Sequence, residues 1–229
     1  MRVISPWFEI LFLPPGPEVL ALIERAGRTC YKSEHLISHD SAAEFVRRIV
    51  ASGHHSVIEH ASATVRFICD RGVSHELVRH RLAAYSQEST RYANYSQERF
   101  GNQITVVRPM FWPEGSEPYR QWEKAMLAAE AAYLELLALG AKPQEARAVL
   151  PNSLKTEVVM TANLREWRHV IDLRSSKAAH PQIRQLMLPL LDEFSRRVPV
   201  FFDDLARKYA EEMASFAAGP AALSPPPAD

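Results

Sequence analysis

Apolar positions along this 229-residue chain change period several times, and the changes outline the elements. Residues 2–13, RVISPWFEILFL, are rich in Val, Ile, Phe and Trp and predict a strand, which the following LPPGPE turns. In residues 18–31, Val19, Leu22, Ile23 and Ala26 recur at helical spacing. Ser41 and Glu44 have the spacing of a capping box and open a second helix with Phe45, Val46, Ile49 and Val50 inward and Gly53 at its end. Residues 63–69, ATVRFIC, alternate as a strand does, and Asp70-Arg71-Gly72 turns into the next helix. Over residues 73–82, at 100° per residue, Val73, Leu77, Val78 and Leu82 take one half of a helix and His75, Glu76, Arg79 and His80 the other. Arg81 falls inside the apolar half, so Arg79 and Arg81 are expected to point about 160° apart.

Residues 103–107 read as a strand. The longest helix is expected over 116–140, where Tyr119, Trp122, Met126, Ala129, Tyr133 and Leu136 form a packing seam, within the chain or between subunits. A short helix over 142–150 carries Arg147 and stops at Pro151; residues 154–161 are β-rich. Asn163, with Glu166 three residues on, caps a helix whose inward face is Leu164, Trp167, Val170 and Ile171, with Arg165, His169 and Arg174 off it. Pro181 opens a helix burying Ile183, Leu186, Leu190 and Phe194, and Phe201, Phe202, Leu205 and Tyr209 mark the last. These elements predict one α+β domain over residues 1–217, a small, mostly antiparallel sheet flanked by helices, with a flexible Pro-rich tail at 218–229.

Composition excludes several classes. Lys+Arg and Asp+Glu are each 27, which gives no electrostatic argument for a nucleic-acid or membrane partner. No apolar run approaches the roughly 20 residues of a membrane span. Cys30 and Cys69 form no motif, and no signal peptide is visible, so a cytoplasmic protein is expected. With 8 glycines, the chain has neither a dinucleotide-binding G-x-G-x-x-G nor a phosphate-cradling G-x-x-x-x-G-K-[ST]. His75 and His80, five apart on the expected helix, diverge too far to share a metal, and GHHSVIEH (53–60) reads as a polar loop, so no metal site is expected.

What remains is a set of arginines, Arg79, Arg81, Arg91, Arg147, Arg165 and Arg174, with hydroxyls and amides close behind the first two (Tyr85, Ser86, Gln87, Ser89, Thr90). Guanidinium forks bind phosphate bidentately. Spread over three segments, they suit a discrete phosphorylated ligand better than a nucleic-acid track, which remains the alternative. Ser89 fits a phosphate ligand more simply than a nucleophile, because the sequence identifies no base for it.

Arg79-His80-Arg81, seven residues, then Ser89 is an R-H-R-x7-S motif. With G-H-x-S-V-x-E-H at 53–60, the Glu145-Ala-Arg147-x-x-Leu150-Pro151 segment and the run from Asn163 to Arg174, it resembles the flavin-dependent thymidylate synthases over roughly residues 40–190. The resemblance implies FAD as cofactor, dUMP as substrate, 5,10-methylenetetrahydrofolate as carbon donor, NADPH as reductant, and a homotetramer whose sites are shared between subunits. It assigns Ser56, Arg79, His80, Arg81, Gln87, Asn163, Leu164, Arg165 and His169 to FAD. It assigns Glu76, Leu77, Val78, Arg79, Gln87, Glu88, Ser89, Thr90, Arg91, Arg147 and Arg174 to dUMP, with Arg174 as the group that ionises or polarises the uracil ring. The chain departs from the pattern at Glu76, where relatives often have glutamine, at Gln87, where many have glutamate, and at His169, which replaces an asparagine. Such chemistry needs no protein nucleophile, because the redox work belongs to the flavin.

Overall fold

The computed structural model describes residues 1–218; the expected Pro-rich tail lies outside the described residues but for Ala218. Its centre is an antiparallel sheet in the order β2-β3-β6-β4, made from β2 (Trp7–Phe12), β3 (Ser62–Asp70), β4 (Ala83–Gln87) and β6 (Lys155–Asn163). The long strands β3 and β6 pair in register from Ser62↔Asn163 to Asp70↔Lys155. Residues 2–13 are not one strand, because Pro6 interrupts them. Arg2–Ile4 (β1) instead pairs in parallel with β5 (Thr105–Val107) outside the main sheet.

Helices α1 (Gly16–Thr29), α2 (Ser41–Ala51), α6 (Leu164–Ser175), α7 (Pro181–Arg197) and α8 (Pro199–Lys208) build the principal core with the sheet. The apolar stripe read in α6 is the buried one: Leu164, Trp167, Val170 and Ile171 are all inaccessible to solvent. The expected capping box at Ser41 does not form. Ser41 is already helical, and its hydroxyl donates to Glu24 Oε2 on α1 at 3.0 Å, so it ties two helices together instead. The last apolar run divides into two helices, α8 and α9 (Ala210–Ala218), broken at Tyr209.

A second core surrounds α4 (Glu117–Ala138), where Tyr119, Trp122, Met126 and Tyr133 pack on Tyr95, Ile104, Val106, Ala146 and Leu154. The seam of α4 is therefore internal at those four positions. The short helix α5 (Pro143–Ala146), followed by a 3-10 turn through Arg147, closes this side.

The largest departure from the sequence pattern is at the chain's centre. Helix α3 (Arg71–Leu77) stops after two turns, and residues 78–82 form a bent connection to β4. The cause is Tyr85, whose hydroxyl donates to the carbonyls of Leu77 (2.7 Å) and His80 (2.8 Å), satisfying the helix end and folding the chain back. Apolar periodicity continues through Leu82, but Leu82 is 76% exposed, so the periodicity there reports no buried face.

Candidate functional site

The α3–β4 connection is held at both ends. At its start, Asp70 accepts from the Val73 amide at 2.8 Å and from Gln182 Nε2 on α7 at 2.8 Å. A Cβ on Gly72 would lie 2.9 Å from that carboxylate, so a side chain there would disturb the cap. Tyr85 fixes the other end, and burial pushes its phenol up to about 12, so the hydroxyl remains a donor at any ordinary pH. Between these anchors Arg79 and Arg81 are exposed and His80 is buried. Since α3 ends at Leu77, they do not occupy opposite sides of a helix, and both line one cleft.

Arg79, His80, Arg81 and Leu82 form one wall of a cleft of about 1070 Å³. Asn163, Arg165, Glu166, Arg168 and His169, from the start of α6, form another. Asn163 Oδ1 accepts from the Glu166 amide at 2.9 Å, so the expected N-cap exists and sets the amino end of α6 against the cleft. Among the described residues, Arg79 and Arg81 have neither an acidic partner nor a side-chain hydrogen bond, whereas Arg165 pairs with Glu59 at 2.5 Å. Arg168 serves as a strut instead: it grips Asp204 through two nitrogens at 2.7 and 2.6 Å and donates to the Phe201 carbonyl, joining α6 to α8. Two unneutralised guanidinium groups beside a helix N-terminus make an anion-binding surface.

A smaller pocket of about 360 Å³ adjoins the cleft, sharing Arg79, His80 and His169 and adding Leu173, Arg174, Ser176, Ala178 and Ala179. Arg174 Nε donates to His80 Nε2 at 3.0 Å, and its Nη1 meets Glu76 Oε2 at 2.6 Å. Burial, with Arg174, His169 and Arg79 around it, lowers the His80 pKa to about 4, so the imidazole is neutral near pH 7. Since Nε2 accepts from Arg174, the single ring proton sits on Nδ1, facing Glu166 Oε1 at 3.8 Å. His80, Glu166 and His169 place ligand atoms within 4.8 Å of one another, a spacing that would suit a metal ion. Helical divergence of His75 and His80 no longer bears on the metal question, because the helix ends before His80. The tautomer does bear on it: a metal on Nδ1 needs the proton moved to Nε2, which would break the bond from Arg174.

The remaining expected residues gather elsewhere. Gln87 Nε2 donates to Ser74 Oγ at 2.9 Å and contacts Thr156 Oγ1 at 3.3 Å, on the sheet side of α3 and outside the cleft. Glu88 is held by Lys155 (3.1 Å) and by the Tyr95 hydroxyl (3.2 Å). Both line a groove of about 530 Å³ with Ser89, Tyr92, Arg99 and Phe100. Arg147 donates to Thr90 Oγ1 at 3.4 Å, and Arg91 Nε to Gln144 at 3.1 Å, so the second set of phosphate-type donors clusters where α5 meets the chain after β4. No histidine hydrogen-bonds Ser89 among the described residues. Leu77 and Leu164 point into the core, leaving only backbone for a ligand, while Val78 and Ser56 are exposed. Glu166 escaped sequence reasoning because a glutamate at that spacing reads as half of a capping box. Lys155 and Tyr95 carried no motif at all.

The family described as thymidylate synthase complementing protein matches residues 15–200, beyond both ends of the stretch that carries the motifs. The chain is 35% identical over 178 residues to a flavin-dependent thymidylate synthase of Pyrococcus furiosus, a match covering 77% of this chain and 72% of the relative. It is 38% identical over 202 residues to the protein of that name from Mycobacterium tuberculosis, covering 80% and 78% respectively.

Proposed function

The chain belongs to the flavin-dependent thymidylate synthases, and from that premise we propose that it converts dUMP to dTMP with FAD, 5,10-methylenetetrahydrofolate as carbon donor and NADPH as reductant. The observation that carries this reading is the position of Arg174. It lines the small pocket and bonds His80, which that pocket shares with the cleft carrying the unpaired Arg79 and Arg81.

The cleft fits the cofactor by its donor chemistry. Arg79, Arg81 and the amino end of α6 offer charge to a pyrophosphate, and His80 and His169 offer flat polar edges to a ring system. Bound FAD supplies the redox chemistry. The chain's own part is to bind, orient and polarise. Uracil must become electron-rich before its C5 accepts a one-carbon unit. The guanidinium of Arg174, at the N3–O4 edge, stabilises the developing enolate-like charge, an effect of about 3–4 kcal/mol per donor. Ser89, Thr90, Arg91 and Arg147 hold the nucleotide phosphate.

Ser89 and Arg174 lie in grooves that share no residue. A homotetramer that joins the groove of one copy to the pocket of another would bring both to one nucleotide. Purified protein should be yellow, and dUMP should perturb its flavin absorbance. A colourless protein unable to take up added FAD would overturn the reading.

A further inference from the structure

Arg174 lies in the last turn of α6, and every nitrogen of its guanidinium already meets an acceptor. Nη1 donates to Glu76 Oε2 at 2.6 Å, Nη2 to the Glu76 carbonyl at 3.0 Å, and Nε to His80 Nε2 at 3.0 Å. Two of the three acceptors belong to one residue, which grips the fork through both side chain and main chain. The pair is well shielded, with side-chain exposure of 12% for Arg174 and 24% for Glu76. A guanidinium has five N–H groups, so three fixed bonds leave two donors whose direction is no longer free. The pocket beside them is lined by Leu173, Ser176, Ala178 and Ala179, and the Ser176 hydroxyl is spent on the Leu173 carbonyl. Glu76 itself occupies the last turn of α3, where the helix dipole disfavours an acid, so local helix energetics do not explain the carboxylate. Its partner does.

We propose that Glu76 is a positioning residue: with His80 it orients the Arg174 guanidinium so that the two remaining N–H groups face the nucleobase pocket, and it acts on the substrate through Arg174 rather than by a contact of its own. This rests on the reading of Arg174 as the group that polarises the uracil ring. The role requires an acceptor, not a charge. A glutamine amide oxygen can take the bond from Nη1, whereas leucine, of similar length, cannot.

The test is a double-mutant cycle read by dUMP titration of the flavin absorbance, with turnover measured in parallel. Glu76→Leu should weaken dUMP at least 10-fold and lower kcat more than it raises KM, while Glu76→Gln stays within about 3-fold of the parent. On an Arg174→Ala background, Glu76→Leu should change the dUMP dissociation constant less than 2-fold. An equal loss on both backgrounds would overturn the proposal, since Glu76 would then act without Arg174; so would a Glu76→Leu variant indistinguishable from the parent. A second measurement needs no substrate: imidazole ¹⁵N shifts of His80 should report the Nδ1–H tautomer in the parent and in Glu76→Gln, and a relaxed mixture in Glu76→Leu. An unchanged tautomer in Glu76→Leu would contradict the linkage. A parent protein whose flavin ignores dUMP, with the tautomer shift intact, would instead overturn the assignment of substrate.

Discussion

At the scale of single residues, the proposed role of Arg174 and the burial of His80 each make a prediction. Arg174→Ala should cut methylation by a factor of about 10²–10³ while FAD stays bound, because the group lost stabilises charge that develops only in the reaction. Turnover and flavin content of the same preparation check this; unchanged turnover would remove Arg174 from the chemistry. His80 governs the acid side. Its folded pKa of about 4 lies below the ordinary 6.5. The unfolded chain therefore takes up a proton at this residue that the folded chain refuses, and stability falls as pH drops from about 6.5 to about 4. Urea unfolding across that window should show a shallower decline for His80→Asn than for the parent. The motif residues Arg79, His80 and Arg81 could be picked out from the sequence, but their partners could not. That Glu166 faces His80, or that Glu76 holds Arg174, depends on contacts 86 and 98 residues apart along the chain, which no local spacing encodes.

Among elements, α6 was the most readable and the α3–β4 connection the least. In α6, cap and stripe agree: Asn163 closes the amino end and four apolar residues at helical spacing are fully buried. Removing the cap with Asn163→Ala should cost about 1 kcal/mol in urea unfolding and loosen flavin retention, since the same turn borders the cleft. Retained flavin affinity at full stability would show that the cap does neither. In the α3–β4 connection, helical periodicity runs five residues past the real end of the helix at Leu77. What stops the helix is a phenol on the next strand, Tyr85, competing for its last carbonyls. Read from sequence, that hydroxyl looked like an anion donor; in the structure it is already committed to the backbone. The expected divergence of Arg79 and Arg81 rested on that helix, and in its place the two arginines line one cleft.

For the whole molecule, the α+β class and the antiparallel sheet followed from strand and helix periods, while two separate cores and the parallel β1–β5 pair did not. Strand partners are set by tertiary packing, and Pro6 was the one local sign that residues 2–13 divide. Among the described residues no helix is long and apolar enough to cross a membrane. Leu82, Leu173 and Val78 are exposed beside the arginine cleft and give a second copy apolar surface to cover. Light scattering should find four copies of the 25.9 kDa chain, and a fully active monomer would refute shared sites. The most direct measurement is chromatographic detection of dTMP after FAD-loaded protein is incubated with dUMP, 5,10-methylenetetrahydrofolate and NADPH. The expected result is dTMP that disappears when either the folate or the reductant is left out; FAD-loaded protein that makes none with all components present would contradict the assignment.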